Sequence, residues 1–292
     1  MSDIVDSRFV CYLMNSLYWS GFTRQFVKQT TGIQNLDADQ LLAGHCLLPS
    51  LYEQRRIADF LDAETARIGH LMDAQLKVLK LLEERANSRI LEIIGQSVIV
   101  KADGEPVIPM RRVLTKLNRS TLPTDEMITA FRDGQVTARS IRRAEGYTMT
   151  AGTEPQGQGV QEGDIVIHGL DGFAGAIGDS EALGNCSPVY HVCLPTDGGN
   201  SAFYGRLLRL LALGDYLALF GASARERAVD FRNWKIFGHA PIPVVEPAVQ
   251  HEIGSLIIKI RPLREEVQRF NALLAERRQA LITAAVTGGI TV

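Results

Sequence analysis

The feature that most constrains this chain is its resemblance to itself at an offset of 194 residues. Phe9 falls on Phe203, Leu13 on Leu207, Met14 on Leu208, Phe22 on Tyr216 and Phe26 on Phe220. The string GHCLLP (44–49) then falls on GHAPIP (238–243), and after a small insertion Ile57 corresponds to Ile253. Further on, LEERANSRI (82–90) corresponds to LAERRQALI (274–282). One such match is weak, but a series in the same order is hard to dismiss. Each copy runs from a domain end, through a proline, into a long helix with a Glu-Arg-rich close. The second copy has a further stretch upstream, roughly 107–201, whereas the first starts only a few residues before Phe9. The expectation is that nearly a hundred residues of the first copy are missing, through natural truncation, a split gene or a mis-assigned start. Residues 1–48 would then be the tail of a domain whose body is absent.

The two long helices carry heptad patterns. In the first, Ile57, Leu61, Glu64, Ile68, Leu71, Gln75, Val78 and Leu82 are spaced 4, 3, 4, 3, 4, 3, 4, apolar except at Glu64 and Gln75. Running to about Gly95, this helix would be about 65 Å long at 1.5 Å per residue. A stripe of that length needs a partner to cover it. The second copy supplies a matching seam in Ile253, Leu256, Ile260, Leu263, Val267, Phe270 and Leu274, closing at Leu281. An antiparallel coiled coil within one chain, acting as a spacer or ruler, is the first reading, and a coiled coil between chains is the other. Pro262, inside the second seam, should kink the helix or start a new segment.

Between the helices, 107–240 reads as mixed α and β. Short apolar runs alternate with turn signals in GDIVIHGLDG, GAIGDS and SPVYHVCLP, and FYGRLLRLLALGDYLALF has helical spacing. The glycine-rich GFAGAIG (172–178) lacks the phosphate-loop pattern and reads as tight turns. The expected fold class is α+β: one α/β domain, two long helices forming an antiparallel coiled coil, and a partial second domain of the same kind at the N-terminus. The expected boundaries are 1–48, 49–100, 107–240 and 241–292.

Net charge is only −2, which argues against whole-surface attraction to nucleic acid, but its distribution is uneven. Residues 111–143 hold eight Lys/Arg against three acids, 144–205 hold eight acids and no Lys/Arg, and 206–235 hold six against three. Such a domain can present a basic face, or its charges can simply solvate different surfaces. Catalytic signatures are absent: there is no G-x-S-x-G, H-E-x-x-H or P-loop pattern, and His168, His191 and His239 share no ligand spacing. Cys11, Cys46, Cys186 and Cys193 show no metal or redox spacing and read as free thiols in a reducing compartment. No apolar run approaches the roughly 20 residues of a membrane span, and no signal peptide is visible, so the cytoplasm is the expected compartment. No metal or cofactor is expected.

The string LPSLYEQRRIADFLDAETARIGHLMDAQLKVLKLLEERANSRI (48–90) resembles the conserved helical region of the specificity subunits of type I restriction–modification systems. The ending ERRQALITAAVTGGITV (276–292) is similar to that family's C-terminus. VTARSIRR, VQEGDIVI, GAIGDS, CSPVYHV and SARERAVDFRNWKIF resemble its second target recognition domain. The resemblance covers essentially the whole chain. It implies a non-catalytic subunit that reads double-stranded DNA, docks methyltransferase subunits and joins a restriction endonuclease subunit. In that plan two recognition domains each read half of a split site, and the paired helices set the distance between halves. This chain departs from the plan by lacking most of one recognition domain, and PVVEPAVQHEI (243–253) stands where the family has a Glu-Gln start to its helix. A homodimer, a separately encoded N-terminal half, or an inactive remnant acting as a coiled-coil adaptor for the methyltransferase would each follow. A self-contained methyltransferase would need an N/D-P-P-Y/F motif, which does not occur.

Phosphates are bound by Lys, Arg and small hydroxyls, and base edges by Arg, Lys, Asn, Gln, Ser and Thr. On that basis the candidate DNA-binding residues are Thr137, Arg139, Ser140 and Arg142 in the first basic segment. Those of the second are Ser223, Arg225, Arg227, Arg232 and Lys235.

Overall fold

The computed structural model describes 4–30, 33–44, 46, 48–98, 107–124, 126–142, 157–196, 198–221, 224–225 and 228–292, with backbone alone at 29–30, 33–34, 96–98, 224–225 and 228. The chain divides into two compact units. One is Met1–Lys80 with Leu263–Val292, and the other is Leu81–Pro262.

In the first unit, Asp6 caps helix α1 (Ser7–Trp19) by accepting from the amides of Arg8 and Phe9 at 3.0 and 3.2 Å. A 3-10 turn (Phe22–Phe26) leads to the hairpin β1 (Val27–Thr30) and β2 (Ile33–Leu36), then the short helix α2 (Ala38–Leu42). The long helix α3 (Leu51–Val98) opens on a capping box. Glu53 accepts from the Ser50 amide and hydroxyl at 2.9 and 2.8 Å, and the Ser50 hydroxyl accepts from the Glu53 amide. Phe9, Ala58 and Leu61 form a buried cluster with Ile282, Ala285 and Val286. The start of α3 thus lies beside the end of α8 (Pro247–Val286), and the two helices run antiparallel.

The second unit begins with the last part of α3. Then come β3 (Val107–Pro109), α4 (Met110–Val113), β4 (Leu114–Lys116), β5 (Ile128–Ala130), β6 (Val136–Ala138), α5 (Arg139–Arg142) and β7 (Gln158–Val160). After β8 (Ile165–His168), β9 (Ile177–Asp179), β10 (Gly184–Cys186) and β11 (Tyr190–Pro195) comes α6 (Ser201–Leu213). The ladder β12 (Ala224–Arg225) and β13 (Ala228–Val229), helix α7 (Trp234–Phe237) and β14 (Pro241–Pro243) precede α8. The main sheet is antiparallel in the order β4-β11-β8-β9, and both its faces are covered. Period-two alternation explains how. Ile165 and Ile167 of β8 join the cluster that includes Phe203, Leu207 and Leu211 of α6, while Val166 joins the other cluster with Ile128, Val136 and Val160. GFAGAIG forms a 3-10 turn (Gly172–Ala174) ended by Gly175 at φ +94°, the tight turn that its composition suggests. VIPMRRVLTKL (107–117) is strand, helical turn and strand in succession.

The repeat is visible as two equivalent knots. Helices α1 and α6 both begin at a serine, 194 residues apart, behind the caps Asp6 and Asn200. In the first unit the buried amide of Gln54 accepts from Asp6 N at 2.9 Å and donates to the Pro49 carbonyl at 2.9 Å. In the second, the buried Gln250 accepts from Asn200 N at 3.1 Å and donates to the Val245 carbonyl at 2.7 Å. Gln250 therefore does the work of Gln54, although PVVEPAVQHEI lacks the Glu-Gln pair.

The seam of the long helices differs from the sequence reading at every second position. Leu61, Ile68, Ile253, Ile260 and Leu274 are buried, and Leu82 and Val267 are half-buried, as that reading requires. The other row is displaced by one residue. Ala58, Thr65 and Ile257 are buried and Met72, Leu79, Arg264 and Asn271 half-buried. Ile57 and Leu256 are only half-buried, while Leu71, Val78, Leu263 and Phe270 are 44%, 58%, 43% and 43% exposed. In α8 the inward row Ile257, Arg264 and Asn271 continues from the buried Gln250, while in α3 Gln54 lies on the row with Leu61 and Ile68 that both phases share. Helix α8 runs through Pro262 as one element. Among the described residues, no helix is long and apolar enough to cross a membrane.

Candidate nucleic-acid interface

The basic residues of the second unit are placed by two local structures. The first is the hairpin β5–β6, closed by Phe131 N donating to the Gln135 carbonyl at 2.8 Å and by Gly134 at φ +89°. Arg139, at the end of β6, donates through Nε to the Thr129 hydroxyl at 3.3 Å. Ser140 donates to Glu126 at 3.0 Å. Arg142 reaches back to Asp133 at 2.7 Å and lies 4.2 Å over the Phe131 ring. Thr137 is buried within β6, opposite Thr129, so its hydroxyl is not on the surface with its neighbours.

The second structure precedes α7. Arg232 is held by its near neighbour Asp230 through Nε at 3.0 Å and Nη2 at 2.7 Å, which lowers the Asp230 pKa. Lys235 is exposed, in the first turn of α7 behind the cap Asn233. Arg225 lies in β12, where its backbone pairs with Ala228. Ser223 and Arg227 lie outside the described residues.

What joins these two structures is a loop that sequence reasoning passed over, 168–172. Its conformation is set by His168, whose Nδ1 accepts from the amides of both Leu170 and Asp171 at 3.1 and 3.0 Å. That assignment leaves the ring proton on Nε2, and burial pushes the His168 pKa below its usual value. On one side, Asp171 binds Nη2 of Arg132 in the β5–β6 turn at 2.8 Å. On the other, Gly169 lies so close to Arg232 that a Cβ would come within 2.6 Å of its side chain, and Phe231 N donates to the Gly169 carbonyl at 2.8 Å. Tyr190 packs edge-on against His168 with ring centroids 4.5 Å apart. Arg132 and Arg232 are thereby gathered at one loop, and Arg142 lies beside the Arg132 turn, each next to its own carboxylate.

Of the candidates named from sequence, Arg142 lies at the β5–β6 turn and Arg232 beside Gly169. Arg132 and Asp171, 39 residues apart and without a motif, are not among them. The surplus of arginine in 111–143 was the available signal.

No family model and no curated protein matches the chain. Solved structures do. A structure described as the basis of complex assembly and conformational transition of the type I R-M system aligns at TM-score 0.60 and 14% identity, over 97% of this chain and 72% of that one. The type I restriction–modification S subunit from M. genitalium aligns at TM-score 0.50 and 15% identity, over 96% of this chain and 72% of its own. The chain has the S-subunit fold. The HsdS subunit from Thermoanaerobacter tengcongensis also aligns, at TM-score 0.47 and 15% identity, over 99% of this chain and 72% of that one.

Proposed function

We propose that this chain is a DNA-recognition subunit of a type I restriction–modification complex, acting in the cytoplasm without chemistry of its own. The recognition domain is 107–240, and the long helices are the conserved regions that carry it. The observation that carries the reading is the gathering of both basic segments on the 168–172 loop, in a chain with the S-subunit fold. Each arginine there is pre-positioned by a carboxylate, which suits contacts to phosphates and base edges that demand a set geometry. Arg139, Ser140, Arg142, Arg232 and Lys235 are the proposed contacts on the described surface.

The methyltransferase subunit would dock on the first unit's helices. Leu71, Val78, Leu263 and Phe270 repeat at heptad spacing and share one flank of the antiparallel pair. Leu263 and Phe270, with Gln75, Val267 and Leu273 and the charged Glu266 and Arg269, line a groove there of about 340 Å³. A contiguous exposed apolar stripe of this kind marks a protein-binding face, and a helical partner would complete a bundle with these residues inside. A restriction endonuclease subunit would join the same assembly.

The test is fluorescence anisotropy of the full chain with duplex DNA across a salt series, alone and with a type I methyltransferase subunit. Binding should weaken linearly in log salt, and the charge reversals Arg142→Glu and Arg232→Glu should each weaken it further. Leu71→Glu with Phe270→Glu should abolish methyltransferase binding while sparing the fold. The reading fails when no duplex is bound in either condition.

A further inference from the structure

We propose that Arg132 reads a guanine in the bound duplex and so sets part of the target sequence, with Asp171 as its positioning residue. The inference rests on the reading that the second unit binds DNA. Guanine presents two adjacent acceptors, O6 and N7, in the major groove, and an arginine fork matches both. The arginine must be exposed, must keep donors to spare, and must be held from behind so that its fork does not wander.

Among the three arginines at the 168–172 loop and the adjoining turn, Arg132 meets these conditions best. Its side chain is 69% exposed, against 56% for Arg232 and 35% for Arg142. Asp230 engages both Nε and Nη2 of Arg232, the edge of the fork best suited to a base. Arg142 is covered by Phe131 and turned onto Asp133. Asp171 engages Arg132 through Nη2 to a single oxygen, so most of the five guanidinium donors stay available.

Everything behind the Arg132 side chain is anchored. Its carbonyl accepts from Nη2 of Arg209 at 3.2 Å. That carbonyl also comes so near Gly175 that a Cβ there would lie 2.7 Å from it, and Gly175 is at φ +94° besides. Asp171 is fixed in turn, since its amide donates to His168 and its carbonyl accepts from Ala174 and Ala176 at 3.0 and 3.2 Å. An exposed arginine tethered this firmly at both ends gives up little side-chain entropy on binding. A phosphate accepts an arginine from many directions, whereas a guanine edge fixes one, so this scaffolding suits the base best.

The distinction between base and phosphate gives the experiment. The full chain selects ligands from a random duplex library, and the enriched duplex is titrated with single-base changes across a salt series. Wild type should enrich a motif containing a guanine. Arg132→Lys keeps the charge and loses the fork, so discrimination at that guanine should fall roughly tenfold while the salt slope is unchanged. Asp171→Asn, which keeps a side-chain acceptor of lower charge, should cause a smaller loss at the same position. The inference is overturned if Arg132→Lys keeps the motif and its discrimination, or if Arg132→Ala changes only the salt slope. If wild type enriches no sequence at all, the DNA-reading function itself falls, and this inference with it.

Discussion

Replacing Gln250 by leucine tests the physical basis of the repeat. The amide is buried, and its two strong partners are backbone groups, Asn200 N at 3.1 Å and the Val245 carbonyl at 2.7 Å. Leucine has nearly the same volume, so packing changes little, but a buried N–H and a buried C=O are left without partners. Each orphan costs about 1–3 kcal/mol, partly offset by the apolar gain of leucine, so a net loss of roughly 3 kcal/mol is expected. Asn200 also caps α6 by accepting from Phe203 N at 2.9 Å, so the loss should spread into that helix. The chain has two tryptophans, Trp19 in the first unit and Trp234 in the second. Trp19 is exposed, and in a Trp19→Phe background Trp234 fluorescence reports urea unfolding of the second unit alone. Gln161→Leu, at an exposed position, serves as the control and should change stability by less than about 0.5 kcal/mol. A Gln250→Leu loss below about 1 kcal/mol, with the urea slope unchanged, would refute the claim that this glutamine ties the helices together.

Two further outcomes follow from the same structure. His191 is buried and donates to the Phe231 carbonyl at 2.7 Å, and burial lowers its pKa to about 4. Below its ordinary pKa near 6.5 the unfolded chain takes up a proton that the folded chain refuses, so stability is full above that pH and falls as pH drops toward 4, by about 3 kcal/mol over the window. Urea midpoints at pH 7 and 4.5 should show that drop in wild type and a much smaller one in His191→Phe; an equal drop in both would exclude His191 as its source. In the coiled coil, Leu61→Ala should cost about 2–5 kcal/mol, whereas Leu71→Ala, at an exposed position, should cost under about 1 kcal/mol. The reverse order, measured by thermal or urea unfolding, would restore the seam read from apolar spacing.

Much of the architecture is legible in the residues, because it is local or periodic. The 194-residue repeat locates both capped helices to the residue. The unbroken apolar run Ile165, Val166 and Ile167 after Gly163-Asp164 suggests a strand, and the glycines of 172–178 suggest turns. The strand order β4-β11-β8-β9 is not legible, since it depends on pairings between distant segments. The candidate interface is half legible for the same reason. Charge counting names Arg142 and Arg232 as candidates, but the contacts that bring Arg132 and Arg232 to one loop run through Asp171 and Gly169, which look in sequence like ordinary turn residues. Thr137 shows the converse error: its type suits a DNA contact, but it falls on a buried strand position.

The seam phase shows how a few polar contacts override an apolar count. Rotating α3 and α8 to bury Leu71, Val78, Leu263 and Phe270 would enclose more apolar surface than Met72, Leu79, Arg264 and Asn271 provide, and by area alone that phase should win. In α8 it would also swing Gln250 off the inward row that it begins, whereas Gln54, seven residues before Leu61, stays on the row common to both phases. The buried amide of Gln250 would lose its backbone partners, and Asn200 N would be left unpaired. Those penalties fall where burial is complete, whereas the apolar gain falls mid-helix, where the side chains are only partly enclosed. Gln250 therefore sets the phase of α8, and Leu263 and Phe270 are turned onto its flank. A stripe that is apolar in sequence yet excluded from its own seam remains available to another helix, so the anchor at the start of α8 also shapes the surface proposed for the methyltransferase.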